Sequence, residues 1–248
     1  MRRIMLSVVV LVALAVNSFG ENMQEYLQKT QELARSGKHK EALERYLWFH
    51  DHALEHDRGM YGVRLSFALS YWLELGKVYP EAKTALLEMR DKKTKLLEDG
   101  KGERDLFHDV AAINHELGQN DGTVKLFRKL DADNGVLALK CWDAAKDAVF
   151  EGKQIDLVKK YIKLPIVEYD RLKERHDLNV SMYKDEKVGG ERFKQWSEKH
   201  FVKESLKLIK AAEAIGDKEA AQEIRKKAVA VVDDPSLREV GEEAKDAK

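Results

Sequence analysis

Apolar residues recur at three- and four-residue steps from about residue 22 to residue 233, and no stretch sustains the period-two alternation of a half-buried strand. A chain patterned in this way can bury its apolar surface as amphipathic helices and has little material for a sheet. Leu69, Trp72, Leu73 and Leu75 form one such stripe, and Ala85, Leu86, Leu87 and Met89 form another. The second follows Pro80, which a helix accepts in its first turn because the missing N–H would be unpaired there anyway. Breaks are expected at 99–104, 132–136, 163–165 and 185–190, each rich in Gly, Asp or Pro. Three prolines and a single cysteine in 248 residues exclude a disulfide scaffold and argue against a loop-rich all-β domain. The predicted fold class is all-α.

Residues 1–20 read as an address and not as part of the fold. Arg2 and Arg3 give a positive start, Ile4 to Val16 is an apolar run broken only by Ser7, and Ser18 and Gly20 offer small side chains to a peptidase. This is the pattern of a secretory signal peptide. The run is shorter than the ~20 residues a helix needs to span a bilayer. Export to the periplasm or medium is therefore expected, with no stable membrane insertion after cleavage; a retained signal anchor is the other reading. Loss of Arg2 and Arg3 with the leader takes the net charge from zero to −2. Residues 21–233 are then one helical domain, and 234–248 a charged, disordered tail beginning near Asp233-Asp234-Pro235.

Five segments share one design: an amphipathic helix, a glycine, then a second helix with a small or aliphatic side chain followed by a larger one. The glycines are Gly37, Gly76, Gly118, Gly152 and Gly216. The small or aliphatic positions are Ala42, Ala82, Val124, Leu157 and Ala221, and the larger ones Tyr46, Leu86, Phe127, Tyr161 and Ile224. Glycine in the left-handed conformation would stop the first helix. The small side chain would let the second helix approach closely, and the large one would fill the groove between them.

In Leu33-Ala34-Arg35-Ser36-Gly37-Lys38-His39-Lys40-Glu41-Ala42-Leu43-Glu44-Arg45-Tyr46, with Tyr26 upstream, this pattern resembles the tetratricopeptide-repeat family. The fourth segment keeps Gly152 and Tyr161 but has Leu157 at the small position. Successive glycines lie 39, 42, 34 and 64 residues apart, against the family's period of 34 residues. The resemblance implies antiparallel helical hairpins stacked as a short right-handed α-solenoid, with an irregular helical insertion in the C-terminal third around Glu168 to Met182. It also implies a monomeric scaffold that binds a protein or peptide on side chains of the first helix of each pair, with no cofactor and no chemistry of its own.

Charge supports the exclusion of one partner class. The chain has 44 basic and 44 acidic residues, without the basic excess that nucleic-acid binding by bulk charge requires. Lys92-Lys93-Thr94-Lys95 and similar runs are interleaved with acidic residues and read as solvated helix faces. The candidate partner-binding residues are Ser66, Ser70, Asp105, His108, His115, Trp142 and Lys146. His108 and His115 are seven apart and share a helix face. Alanine at both is expected to weaken partner capture without lowering the melting temperature. The other Trp residues, Trp48, Trp72 and Trp196, are expected to fill space between helices.

The alternative function is that of a zinc-dependent hydrolase. His52-Ala53-Leu54-Glu55-His56 presents two imidazoles one helical turn apart with a glutamate between them. A third ligand is not recognisable downstream, and a catalytic zinc needs one. Cys141, among Leu139, Trp142, Ala144 and Ala145, reads as a buried thiol.

Overall fold

The computed structural model describes residues 22–183 and 190–238. The leader, the break expected at 185–190 (save Gly190) and the tail beyond Arg238 lie outside them. All regular structure among the described residues is helical, as the periodicity predicts. The chain divides into two compact units, with the boundary between Glu88 and Met89.

In the first unit, α1 (Met23–Arg35) begins at Asn22, whose side chain accepts a hydrogen bond from the Gln24 N–H at 2.8 Å. That satisfies one of the donors a helix start leaves unpaired. It ends where Gly37 adopts φ +82°. There the Lys38 N–H returns to the Leu33 carbonyl at 3.0 Å and the Gly37 N–H to Ala34 at 3.3 Å, closing a Schellman turn. The chain folds back as α2 (His39–His56), packed on α1. Asp57 opens a 3₁₀ turn at Arg58–Met60 by accepting from the Gly59 N–H, and α3 (Tyr61–Arg64) and α4 (Phe67–Val78) follow. Then comes α5 (Pro80–Glu98), with Pro80 in its first turn as expected; the boundary between the units falls within this helix.

Trp72 of α4 is buried on Tyr46 of α2, ring centroids 6.2 Å apart and planes within 13°. Its indole N–H donates to the Ala82 carbonyl at 2.8 Å, so burial leaves no polar atom of the ring unpaired.

Gly76 departs from expectation: it lies inside α4, which runs on to Val78. The reason for glycine there is space. A Cβ at Gly76 would stand 3.0 Å from Lys83 Cβ and 3.2 Å from the Lys83 backbone nitrogen. The residue permits a close approach of α4 and α5 instead of a turn.

The second unit continues with α6 (Arg104–Glu116), α7 (Asn120–Asp133), α8 (Gly135–Glu151), α9 (Ile155–Tyr161), α10 (Pro165–Tyr183), α11 (Gly190–Ile215), α12 (Lys218–Val231) and the single turn α13 (Pro235–Arg238). Most of its helices pack on the next one along the chain. In addition α6 meets α8, α9 meets α11, and α10 meets α12. Gly118 (φ +65°) and Gly216 (φ +86°) close Schellman turns like that at Gly37. At the fourth turn the left-handed residue is Lys153 (φ +51°), one place later than expected. Gly152 ends α8 at φ −74°, where a Cβ would press within 3.1 Å of the Ala148 carbonyl oxygen.

The paired positions read from the repeat pattern are core. Ala42, Ala82, Val124, Leu157 and Ala221 are buried, as are Tyr46, Leu86, Phe127 and Ile224; Tyr161 is half-buried. The helix around Glu168 to Met182 is also a core element: α10 buries Tyr169, Leu172 and His176, with Tyr169 and His176 both against Phe201 of α11. The start of the expected tail is likewise helical, and Leu237 of α13 is fully buried. The solvated reading of the lysine run fails at Lys93, which is largely buried and paired with the buried carboxylate of Asp109.

Candidate functional site

Two of the residues nominated from sequence meet in one cleft of the second unit. Trp142 and Lys146 stand one turn apart on α8, and with α9, α10 and α11 they wall a cleft of about 350 Å³. The Trp142 ring lies flat on Tyr161, centroids 4.8 Å apart and planes within 11°, and tilts against Phe127 at 5.8 Å. Tyr161 in turn donates its hydroxyl proton to Asp131, which also takes Lys160. Burial and that carboxylate hold the Tyr161 phenol well above its ordinary range. Trp142 is thus half-buried and fixed from two sides, a rigid wall more than a free platform.

Lys146 leads into an ion-pair network between α8 and α11. Its Nζ lies 3.1 Å from Glu204, which also accepts from Lys207 at 2.6 Å. Lys207 bridges to Asp147 at 2.5 Å, and Lys203 reaches the same carboxylate at 3.3 Å. The Lys207 side chain is 12% exposed and that of Glu204 9%. Burial alone would raise the carboxyl pKa of Glu204. Hydrogen bonding to Lys207 and the charge of Lys146 outweigh it, so Glu204 titrates below its ordinary value. Asp147 is likewise lowered, burial being overcome by Lys207 and Lys203, and Lys207 is raised by its two carboxylates against burial. Asp147, Glu204 and Lys207 therefore stay ionised near neutral pH.

Beyond Lys146 the cleft opens into a second groove between α10 and α11, of about 420 Å³. Arg175 and Leu172 line both spaces. In the groove, Asn179 donates to Ser197 Oγ at 3.2 Å, and Ser197 Oγ shares a hydrogen bond of 3.2 Å with His176 Nδ1. Burial keeps His176 and His200 below the usual imidazole pKa. Trp196 lies parallel to the His200 ring, within 3°, and is 55% exposed, not the inter-helix filler expected.

The other nominated residues do not join this cleft. His108 is half-buried on α6, its pKa lowered by burial and by Arg104 against the opposing carboxylates of Asp105, Asp143 and Asp109. Asp105 is exposed and pairs with Arg104 at 3.6 Å; His115 is exposed in the last turn of α6. Ser66 and Ser70 belong to the first unit. Ser66 is the residue preceding α4, its hydroxyl donating to the Gly62 carbonyl at 2.7 Å. Neither serine lines that unit's own groove, a space of about 590 Å³ between α1, α2 and α4 bounded by Arg35, His39, Tyr71, Glu74 and Val78.

The histidine segment at the end of α2 is divided by burial. His50 is buried against the guanidinium of Arg64, which also donates to the His50 carbonyl at 3.3 Å. His52 turns to Glu55 at 3.3 Å, and both His52 and His56 lie against the Trp48 ring, at 5.3 and 5.4 Å. Among the described residues no three His, Cys, Asp or Glu side chains converge where they could hold a metal ion.

Sequence reasoning missed Arg171, Arg175, Lys207 and His200 because the C-terminal third read as a charged insertion. The available signal was spacing: Arg171 and Arg175, like Lys203 and Lys207, are one helical turn apart on helices that also carry an apolar stripe. Neither a family model nor a characterised protein sequence matches the chain.

Proposed function

We propose that the protein is an exported helical scaffold that binds a protein or peptide partner and performs no chemistry itself. Within each unit the hairpins would stack in the manner of tetratricopeptide repeats. Schellman turns at three of the five repeat glycines and the buried small-then-large pairs support this arrangement. The observation that carries the binding function is the open cleft in which Trp142, Tyr161, Lys146, Arg171 and Arg175 face a common space. Rigid aromatic walls, rimmed by cations and by the carboxylates of Asp143, Glu168 and Glu204, match the anchors that dominate recognition of peptides and proteins. Export rests on the leader pattern of residues 1–20, and the even balance of charge gives no support to nucleic acid as partner.

Panning a displayed library of random peptides on the purified protein tests the proposal. A related set of sequences should be enriched, and Lys146→Met should abolish or redirect the enrichment while the helical signal persists. No enrichment over a control helical protein, or enrichment insensitive to Lys146→Met and to Tyr71→Ala in the first unit, would overturn it.

A further inference from the structure

We propose that the groove between α10 and α11 is a site for a free aliphatic carboxylate, such as a medium-chain fatty acid, with its head at Arg175 and Lys146 and its chain along Leu178, Met182 and Trp196. The inference goes beyond peptide binding and does not depend on it.

The direction of the ligand follows from how the two helices run. His176 meets Phe201 at 4.6 Å, and Asn179 meets Ser197 at 3.2 Å, so rising numbers on α10 face falling numbers on α11. The end of the groove near Arg175 and His200 therefore adjoins α8 and its Lys146. The opposite end is formed by Leu178, Met182 and Trp196. All three are exposed, Leu178 at 66%. A stripe of large apolar side chains left in water at one end, with cations at the other, is the surface of an amphiphile's complement.

Charge is one-sided in the groove. Among the described residues no carboxylate lines it, while Lys146 and Arg175 do. Arg175 has no ion-pair partner among the described residues. Lys146 pairs with Glu204, but Glu204 and Asp147 are shared among Lys146, Lys203 and Lys207, so the network keeps one positive charge in excess. Between the two ends, His176, Ser197 and Asn179 hydrogen-bond to one another, so they present little unmet polarity to an alkyl chain. A volume of about 420 Å³ lies toward the small end of the ~300–1,000 Å³ typical of small-molecule sites.

Calorimetric titration of the purified protein with dodecanoate tests the site. Saturable binding at one site per chain is expected. Arg175→Glu at the head and Leu178→Glu at the tail should each weaken it by about tenfold or more. Both residues are exposed, so thermal melts should stay close to wild type; Met182→Glu serves if either variant fails to fold. Dodecanol and dodecyltrimethylammonium should compete poorly, the first lacking the charge and the second reversing it. Absence of saturable binding, equal binding by the head and tail variants, or equal competition by the alcohol would overturn the proposal. So would a peptide with an apolar C-terminal residue and free carboxylate that binds the groove more tightly than dodecanoate, since the occupant would then be a chain end. Peptide selection that survives loss of dodecanoate binding removes this site alone and leaves the proposed scaffold function standing.

Discussion

Gly76 faces Lys83 across a gap too tight for a methyl group unless the helices give by a few tenths of an ångström: a Cβ at Gly76 would lie 3.0 Å from Lys83 Cβ, 3.2 Å from its backbone nitrogen and 3.3 Å from its Cα. Two of those three atoms are main chain, so a rotamer change cannot relieve the overlap. α4 would have to move from α5, loosening the seat of Trp72, whose indole is bonded to the Ala82 carbonyl on that same helix. Gly76→Ala should therefore destabilise the protein by about 1–3 kcal/mol, the usual cost of overpacking. Gly62 in α3 is the matched control, because a Cβ there meets nothing within 4 Å and its φ is not positive. Gly62→Ala should be neutral or stabilising by up to about 1 kcal/mol. Urea unfolding of both variants measures the difference, and equal midpoints would show that α4 and α5 do not approach so closely.

Lys207 joins α8 to α11 by holding Asp147 and Glu204 at once, with Lys146 and Lys203 on the outer sides of those carboxylates. Lys207→Met leaves Glu204 largely buried with Lys146 alone. The expected loss is about 2–4 kcal/mol, below the ~3–5 of a fully buried pair because Asp147 is partly in water. The pH dependence follows from the directions of the shifts. Asp147 and Glu204 titrate lower folded than unfolded. Their stabilisation is present above the ordinary carboxylate value near pH ~4 and is lost as pH falls through their folded values. Lys207 titrates higher when folded, so its contribution is present below its ordinary value of about 10.5 and is lost as pH rises through the folded one. In Lys207→Met both limbs of the stability profile should be shallower. A profile parallel to wild type would remove the network from the account.

Sequence legibility tracked the scale of the signal. Helical class was legible because the three-and-four periodicity runs through some two hundred residues, far more than any local exception can mask. Ala42, Tyr46, Phe127 and Ile224 were legible as core since burial at a hairpin needs the same small and large sizes each time. Gly76 and Gly152 were misread because a glycine that makes room for a neighbour looks the same in sequence as one that turns the chain. Which it is depends on Lys83 in one case and on the Ala148 carbonyl in the other. The cleft was half legible. Trp142 and Lys146 share a helix face and could be paired from spacing alone, whereas Arg175, Glu204 and Lys207 come from helices whose charged faces hid a narrow stripe holding Tyr169, Leu172, Phe201 and Leu208. The one-turn spacing of like charges marks a shared face but not the helix that the face will meet.

Cys141 is fully buried, and burial pushes its thiol up to about 11, against a smaller opposing effect of Arg104. The reactive form is the thiolate, so both access and ionisation protect this residue. Native protein at pH 8 should resist alkylation by iodoacetamide over hours, while protein in 6 M guanidinium, about the strength that unfolds even stable domains, should be labelled fully. Mass spectrometry reads the outcome. Rapid labelling of the native protein would mean that the Phe127–Cys141–Val149 region of the core opens without global unfolding.

The nominated face of α6 and α8 separates into residues that can be tested cleanly and residues that cannot. His115 is exposed, and His115→Ala should change stability by no more than about 0.5 kcal/mol. His108 is half-buried among Arg104, Asp105 and Asp143, so His108→Ala should lower the melting temperature, contrary to the expectation from sequence. Trp142→Ala strips a ring wedged between Phe127 and Tyr161 and should cost about 2–4 kcal/mol, toward the lower side of a large-to-small core change because Trp142 keeps one edge in water. Lost partner capture in Trp142→Ala would then reflect a collapsed wall as readily as a lost contact. Trp142→Phe keeps an aromatic ring over Tyr161 and should retain most of the stability. If Trp142→Phe and His115→Ala both melt like wild type and only the former loses the enriched peptides, recognition lies in the cleft of α8 and not on the open face of α6. The reverse result would assign it to α6.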